Sequence, residues 1–176
     1  MTNDILLAGF GGQGILFIGK MLAYLGLYGK KQVSWLPSYG PEMRGGTCNC
    51  SVCISDDPIG SPLVLEPDNL LVMNTPSYDK FIGSVKSGGS CFIDSTLIEA
   101  VCDRADISCF YVPATRLANE NELHGMANVI LLGKMIKEAG MADESIIEKT
   151  VKKVVPPKKA HLIDANIKAL KIGMSQ

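Results

Sequence analysis

The residues best placed to do chemistry form a glycine cluster, Gly9-Phe10-Gly11-Gly12-Gln13-Gly14, set between an apolar run, Ile5 to Ala8, and a long apolar helical stretch. In that setting G-x-G-x-x-G has a physical meaning. Gly9 permits the turn out of a strand, Gly11 lets a ligand backbone or phosphate come close, and Gly14 lets helix and strand pack tightly. The N–H groups that open the helix then make an anion seat without a charged side chain. Two nucleotide chemistries lack their partners, however. A dinucleotide site asks for an acid at the end of the second strand, and Gln32-Val33-Ser34-Trp35-Leu36-Pro37 has none. A phosphate loop asks for Lys-Ser/Thr after the last glycine, which Gly14-Ile15-Leu16 does not supply. Two readings stay open: a compact turn with no ligand, or a seat for a phosphate, a sulfate or a partner's carboxylate.

A second cluster runs Pro37-Ser38-Tyr39-Gly40-Pro41-Glu42-Met43-Arg44-Gly45-Gly46. Its two prolines and three glycines describe a rigid, specifically shaped loop. In a doubly wound sheet it leaves the carboxyl end of the second strand beside the glycine turn, where ligands collect. Arg44, the only arginine in the first hundred residues, is the natural fork for phosphate or carboxylate, or else pairs with Glu42 or another nearby acid. Cys48, Cys50 and Cys53 invite a zinc or iron–sulfur reading. On a regular strand, though, 48 and 50 face one way and 53 the other, so all three cannot converge on one metal. Cys91, Cys102 and Cys109 read as isolated small residues. His124 and His161, the only histidines, sit near helix starts where capping and surface roles are common, and no catalytic constellation or metal site can be built from them.

These groups need elements to hold them. Asn3 to Ala8 reads as a buried strand and Gly12 to Tyr28 as a helix, with Ile15, Ile18, Leu22 and Leu25 at helical spacing. Phe17, Met21 and Tyr24 make a second apolar face, to be covered within the fold or by another chain. Gln32 to Leu36 follows as a strand, so the first unit is a right-handed parallel crossover. Thr47 to Ser55 looks like a third strand, but nine residues leave no room for a crossover helix; it is antiparallel or outside the parallel sheet. Asn69 to Met73, Cys91 to Asp94 and Cys109 to Val112 resume the parallel sheet. Ser77 to Ser84 reads as a short helix and Asp94 to Val101 as a connecting loop. Helices follow at Ala114 to Asn119, Asn128 to Ala139, Asp143 to Val154 and Lys159 to Ile172. The fold class is α/β, a Rossmann-like doubly wound, mostly parallel sheet with an antiparallel strand or hairpin after strand 2 and C-terminal helices. One domain, residues 1–176, is expected from the length.

A formal charge of −1 gives no reason to expect nucleic acid or an anionic membrane as the main ligand. The balance is uneven: residues 134–176 hold nine lysines against five acids, read as a solvated lysine face on terminal helices. Lys20 and Gly29-Lys30-Lys31 stop the apolar stretch 15–27 short of a membrane span. With no signal-like segment at Met1 to Asp4, the chain reads as soluble and cytoplasmic, and its six cysteines as reduced thiols.

Taken in order, Gly11-Gly12-Gln13-Gly14, the Pro37 to Gly46 loop, the strand end Ile54-Ser55-Asp56-Asp57-Pro58-Ile59 and the helix segment Asn128 to Gly133 resemble the gamma subunit of the 2-oxoacid:ferredoxin (acceptor) oxidoreductases. The same domain occurs fused within pyruvate:ferredoxin oxidoreductase. The resemblance implies a non-catalytic subunit of an enzyme that decarboxylates a 2-oxoacid oxidatively, forms acyl-coenzyme A and passes electrons to ferredoxin. It implies thiamine diphosphate, magnesium and [4Fe–4S] clusters in partner subunits and coenzyme A as co-substrate of the complex. The implied partners are alpha and beta catalytic subunits and a ferredoxin-like delta subunit, with homodimer contacts when isolated. The role expected here is assembly, with the apolar first helix and the 37–46 loop buried against the catalytic chains, or a coenzyme A-side site at Gly9, Gly11, Gly12, Gln13, Gly14, Ser38, Tyr39 and Arg44. The chain length looks more like the 2-oxoglutarate or branched-chain forms than the pyruvate form. A stand-alone phosphate- or nucleotide-binding Rossmann-like module is the alternative.

Overall fold

A computed structural model of the chain describes residues 2–38, 47–141 and 143–176. Strand β1, Thr2–Phe10, leads through the glycine turn into helix α1, Ile15–Tyr28, and then into β2, Gln32–Ser38, and β3, Thr47–Ser55. After an irregular stretch come β4, Asn69–Val72, helix α2, Thr75–Phe81, with a 3-10 turn at 82–84, and β5, Ser90–Asp94. Strand β6, Ser108–Val112, is followed by α3, Ala114–Glu120, α4, Ala127–Glu138, α5, Glu144–Val154, a 3-10 turn at 157–162 and α6, Ile163–Met174. No helix among the described residues is long and apolar enough to cross a membrane.

The six strands form one sheet in the order β2-β3-β1-β4-β5-β6. Strands β1, β4, β5 and β6 pair in parallel. Strand β3 is antiparallel to both β1 and β2, so the antiparallel strand expected after strand 2 is present. Its position corrects the simple first crossover: β1 and β2 run parallel but are not neighbours, because β3 is threaded between them. The composition of β3 explains the choice. Cys50, Val52, Cys53, Ser51 and Ser55 are small or β-branched and all at most 3% exposed, which suits a strand covered on both faces. Strand β2 is left at the edge, with Trp35 and Leu36 exposed.

Alternation along the strands divides the core into two layers. Ile5, Leu7, Cys48, Cys50, Val52, Leu71 and Phe92 face the layer of α1, α4, α5 and α6. Leu6, Ala8, Cys53, Leu70, Val72, Cys91 and Ile93 face the layer that holds Tyr78 of α2, Val85 and Ile98. Both faces are therefore covered, as a doubly wound sheet requires, and Cys48 and Cys50 lie opposite Cys53 as strand geometry predicts. Between β5 and β6 the chain makes turns but no helix, in line with the connecting loop read from 94–101.

Helix α1 settles its own two-faced pattern. Ile15, Ile18, Met21, Leu22 and Leu25 are 2% exposed or less, and the helix packs between β2 and β3 on one side and α5 and α4 on the other. On the second apolar face Met21 is buried, while Phe17 and Tyr24 are half-buried, so neighbours within the fold cover that face in part. The helix also begins at Ile15, three residues later than the sequence pattern set it, because Gly14 is in the left-handed region at φ 74° and caps it.

Candidate functional site

The carboxyl ends of β1, β2 and β4 come together at the glycine turn. Strand β1 runs on to Phe10, so Gly9 lies inside the strand, buried, where a Cβ would stand 2.8 Å from Gln13 Oε1 and 2.9 Å from Ile15 Cδ1. The turn proper is Gly11 to Gly14. Gly12 takes φ 97° with nothing within 4 Å of a would-be Cβ. Gly11 and Gly12 are exposed. The positive φ that the turn needs thus falls on Gly12 and Gly14, not on the first two glycines of the G-x-G-x-x-G pattern.

Gln13 holds the turn together. Its N–H donates to Phe10 O at 3.2 Å, and its Oε1 accepts from Phe10 N–H at 2.6 Å. Its Nε2 donates to Met73 O at 2.9 Å and its Oε1 also accepts from Asn74 Nδ2 at 3.3 Å. One side chain therefore fastens the end of β1 to the end of β4. Asn74 is itself engaged, its Oδ1 accepting the Ser77 N–H at 2.8 Å as N-cap of α2. Asp94, fully buried at the end of β5, accepts from Thr115 Oγ1 at 2.5 Å and from the Thr115 and Thr96 N–H groups. The polar side chains along this rim are committed to one another, whereas the N–H groups of Ile15 and Leu16 find no acceptor among the described residues. A small anion would supply one.

Ser38 is exposed at the end of β2 and lies opposite Asn49, while Thr47 pairs with Phe10 at the mouth of the turn. Ser38 and Thr47, which flank residues 39–46, thus stand at the same end of the sheet as the glycine turn, where the sequence puts the loop. Tyr39 and Arg44 lie outside the described residues.

The structure adds a neighbour that the sequence pattern did not reveal. A cavity of about 390 Å³ opens at the start of α1 and α4, lined among others by Gly14, Phe17, His124, Asn128, Lys159 and Asn166. His124, exposed in the turn before α4, and Lys159, exposed in the 3-10 turn before α6, are 35 residues apart in sequence and bring basic groups to one cleft. Asn128, 4% exposed, donates from Nδ2 to Gly14 O at 3.1 Å, while its Oδ1 has no hydrogen-bond partner among the described residues. The signal was Asn128 itself, an amide set among the apolar residues that open a helix. His161 is exposed on the 3-10 turn and is not part of this cleft.

Burial pushes the Cys50 thiol up to about 12 and Cys53 up to about 11. Both are core groups on opposite faces of the sheet, and neither presents a thiolate at neutral pH.

Residues 4–176 match the family model described as pyruvate ferredoxin/flavodoxin oxidoreductase. The chain belongs to this family. Among relatives of the pyruvate ferredoxin/flavodoxin oxidoreductase family, it is 36% identical to 2-oxoglutarate synthase subunit KorC of Methanocaldococcus jannaschii over 159 residues, 89% of this chain and 85% of that protein. It is 38% identical to ketoisovalerate oxidoreductase subunit VorA of Methanothermobacter thermautotrophicus over 96% of this chain, but spans 35% of that longer protein. Among solved structures, the keto/oxoacid ferredoxin oxidoreductase gamma subunit of Geobacter sulfurreducens superposes with a TM-score of 0.84 at 28% identity, covering 98% of this chain and 96% of that one. A 2-oxoglutarate:ferredoxin oxidoreductase of Magnetococcus marinus, solved with 2-oxoglutarate, coenzyme A and succinyl-CoA, shares the fold over 99% of this chain and 30% of that one, with a TM-score of 0.87 at 19% identity.

Proposed function

We propose that this chain is the gamma subunit of a cytoplasmic 2-oxoacid:ferredoxin oxidoreductase, acting over residues 1–176 as one gamma-type domain and holding the coenzyme A side of the reaction without performing its chemistry. The family match over 4–176, joined to a fold likeness that runs nearly end to end with a gamma subunit, carries the reading. Its partners are alpha and beta catalytic subunits, which hold thiamine diphosphate and magnesium, and [4Fe–4S]-bearing chains that include a ferredoxin-like delta subunit.

The rim of the sheet suits a holding role. Its polar side chains are tied up in fixing the turn, and what faces outward is backbone: the exposed Gly11 and Gly12 and the unaccepted N–H groups of Ile15 and Leu16. Such a surface takes a phosphate or diphosphate rather than activating a carbon centre. Gly9, Gln13 and Gly14 shape that surface, and Ser38, Tyr39 and Arg44 contribute from the adjoining loop, with the Arg44 guanidinium as the charged contact.

Co-expression with the alpha, beta and delta chains tests this. The reconstituted complex reduces a low-potential dye with 2-oxoacid and coenzyme A, and the gamma chain alone does not. Arg44→Ala raises the KM for coenzyme A by about 10-fold or more, the value of one charge-assisted hydrogen bond. Turnover by the isolated chain, or a complex that assembles and turns over equally well without it, overturns the proposal. Tight coenzyme A binding by the isolated chain with no association with the other subunits would instead fit a stand-alone binding module.

A further inference from the structure

Cys91, Cys102 and Cys109 are spread over nineteen residues of sequence, yet the fold gathers them on the sheet face opposite α1 and α4, away from the glycine turn. Cys91 and Cys109 are directly paired on the parallel strands β5 and β6. Tyr111, two residues beyond Cys109, points to the same side, and its hydroxyl accepts the Cys102 N–H at 2.8 Å. That bond hangs the irregular 98–104 segment over β6. The Cys102 thiol is then near enough to the Cys109 thiol and the Tyr78 hydroxyl to raise the pKa of both. Arg104 donates to the carbonyls of Ile82 at 3.0 Å and Val85 at 2.7 Å and pairs with Asp106, which fixes its guanidinium near both thiols.

We infer that Cys102 and Cys109 are a redox-responsive dithiol, which a low-molecular-weight disulfide such as oxidised glutathione converts to an intramolecular disulfide between the 98–104 segment and edge strand β6. Cys102, partly exposed on a segment with neither helix nor strand, is the thiol a reagent reaches first. Its sulfur attacks one sulfur of the glutathione disulfide and releases one glutathione, which takes up a proton. Cys109 sulfur then attacks Cys102 sulfur, breaking the mixed disulfide and releasing the second glutathione with the Cys109 proton. The two protein thiols are oxidised and the reagent disulfide is reduced to two thiols. Burial pushes the Cys109 thiol up to about 12, so it is not the thiol that attacks the reagent, and its attack on the mixed disulfide is the slow step, faster as pH rises. Cys91, fully buried, is out of reach of the reagent. Closure requires Cα atoms within about 7 Å, and the irregular segment supplies the adjustment.

The test is anaerobic incubation of the full chain with oxidised glutathione, read by thiol count and mass spectrometry. The wild-type chain is expected to lose two of its six thiols and two hydrogens in mass, with no retained glutathione and full reversal by dithiothreitol. The tryptic peptide ending at Arg104 carries both Cys91 and Cys102, so Cys91→Ala assigns the bridge and is expected to keep it. Cys109→Ser traps one glutathione on Cys102, and Cys102→Ser neither bridges nor takes up glutathione; thermal melts check that each variant folds. A wild-type chain that keeps all six thiols, one that holds glutathione on Cys102 without bridging, or a bridge that disappears in folded Cys91→Ala overturns the inference.

Discussion

At the scale of single residues, the glycine turn owes its shape to two amides. Gln13 ties Phe10 to Met73 and Asn74, and Asn128 reaches from α4 to Gly14 O. Gly14 has two separate reasons to be glycine: φ of 74°, and an Asn128 Nδ2 that a Cβ would approach to 2.3 Å. The left-handed backbone alone costs a non-glycine residue about 1–2 kcal/mol, and overpacking adds about 1–3 kcal/mol. Gly14→Ala is therefore expected to lose about 2–5 kcal/mol in urea unfolding. Asn128→Ala is expected to lose only about 1 kcal/mol, since it gives up one hydrogen bond but also removes a buried Oδ1 without a partner among the described residues. In the double variant the clash is gone and the backbone cost remains, so the two losses should sum to more than the double-variant loss. Strict additivity would show that Asn128 does not set the space at Gly14.

At the scale of elements, the C-terminal layer depends on an approach that no periodicity announces. Helices α4 and α6 cross at Gly133 and Gly173, where an added Cβ would stand 2.2 Å from Leu170 O and 1.8 Å from Ile130 O. Both obstacles are backbone atoms, so relief requires the helices to part. Gly173→Ala is expected to cost about 3 kcal/mol and lower Tm by about 10 °C for a chain of this size, whereas alanine at exposed Gly83, with nothing within 4 Å, should leave Tm close to wild type. Sequence reading placed helices at 128–139 and 159–172, of which the second starts in the 3-10 turn before α6, and placed all six strands. It read β3 as antiparallel or outside the parallel sheet because nine residues cannot carry a crossover helix, and the first of these is what the sheet shows. It could not see β3 enter between β1 and β2, since both pairings of so short a connection have the same local pattern and only burial on both faces decides. The second apolar face of α1 was legible as a face needing cover, but the part of that cover the fold supplies comes from α5, more than 115 residues later. Of the site, the turn and the anchor points of the 37–46 loop were legible locally; the cleft with His124, Lys159 and Asn128 was not, because it exists only once α1, α4 and the 3-10 turn before α6 meet.

At the scale of the whole molecule, the sheet stores protonated thiols in both layers. Cys48 and Cys50 lie under α1, and Cys53, Cys91 and Cys109 lie on the other face, each with its thiol raised by burial. In the unfolded chain a cysteine ionises near pH 8.5. A folded-state value above that means the folded chain binds more protons in alkali than the unfolded one. Each such thiol therefore contributes fully below about pH 8.5 and loses its contribution as pH rises toward its folded value. Cys50, wholly inaccessible and raised to about 12, is the cleanest single case. Between pH 9 and 11 the wild-type chain is expected to lose about 2 kcal/mol more unfolding free energy than Cys50→Ala. The alanine variant starts lower at neutral pH because it leaves a small void, but that cost does not titrate. Urea midpoints of the two proteins, measured under reducing conditions at half-unit steps, should thus converge as pH rises. Parallel curves would mean that the Cys50 thiol ionises alike in the folded and unfolded chains, and that the centre of the sheet admits water or charge its side-chain packing does not display.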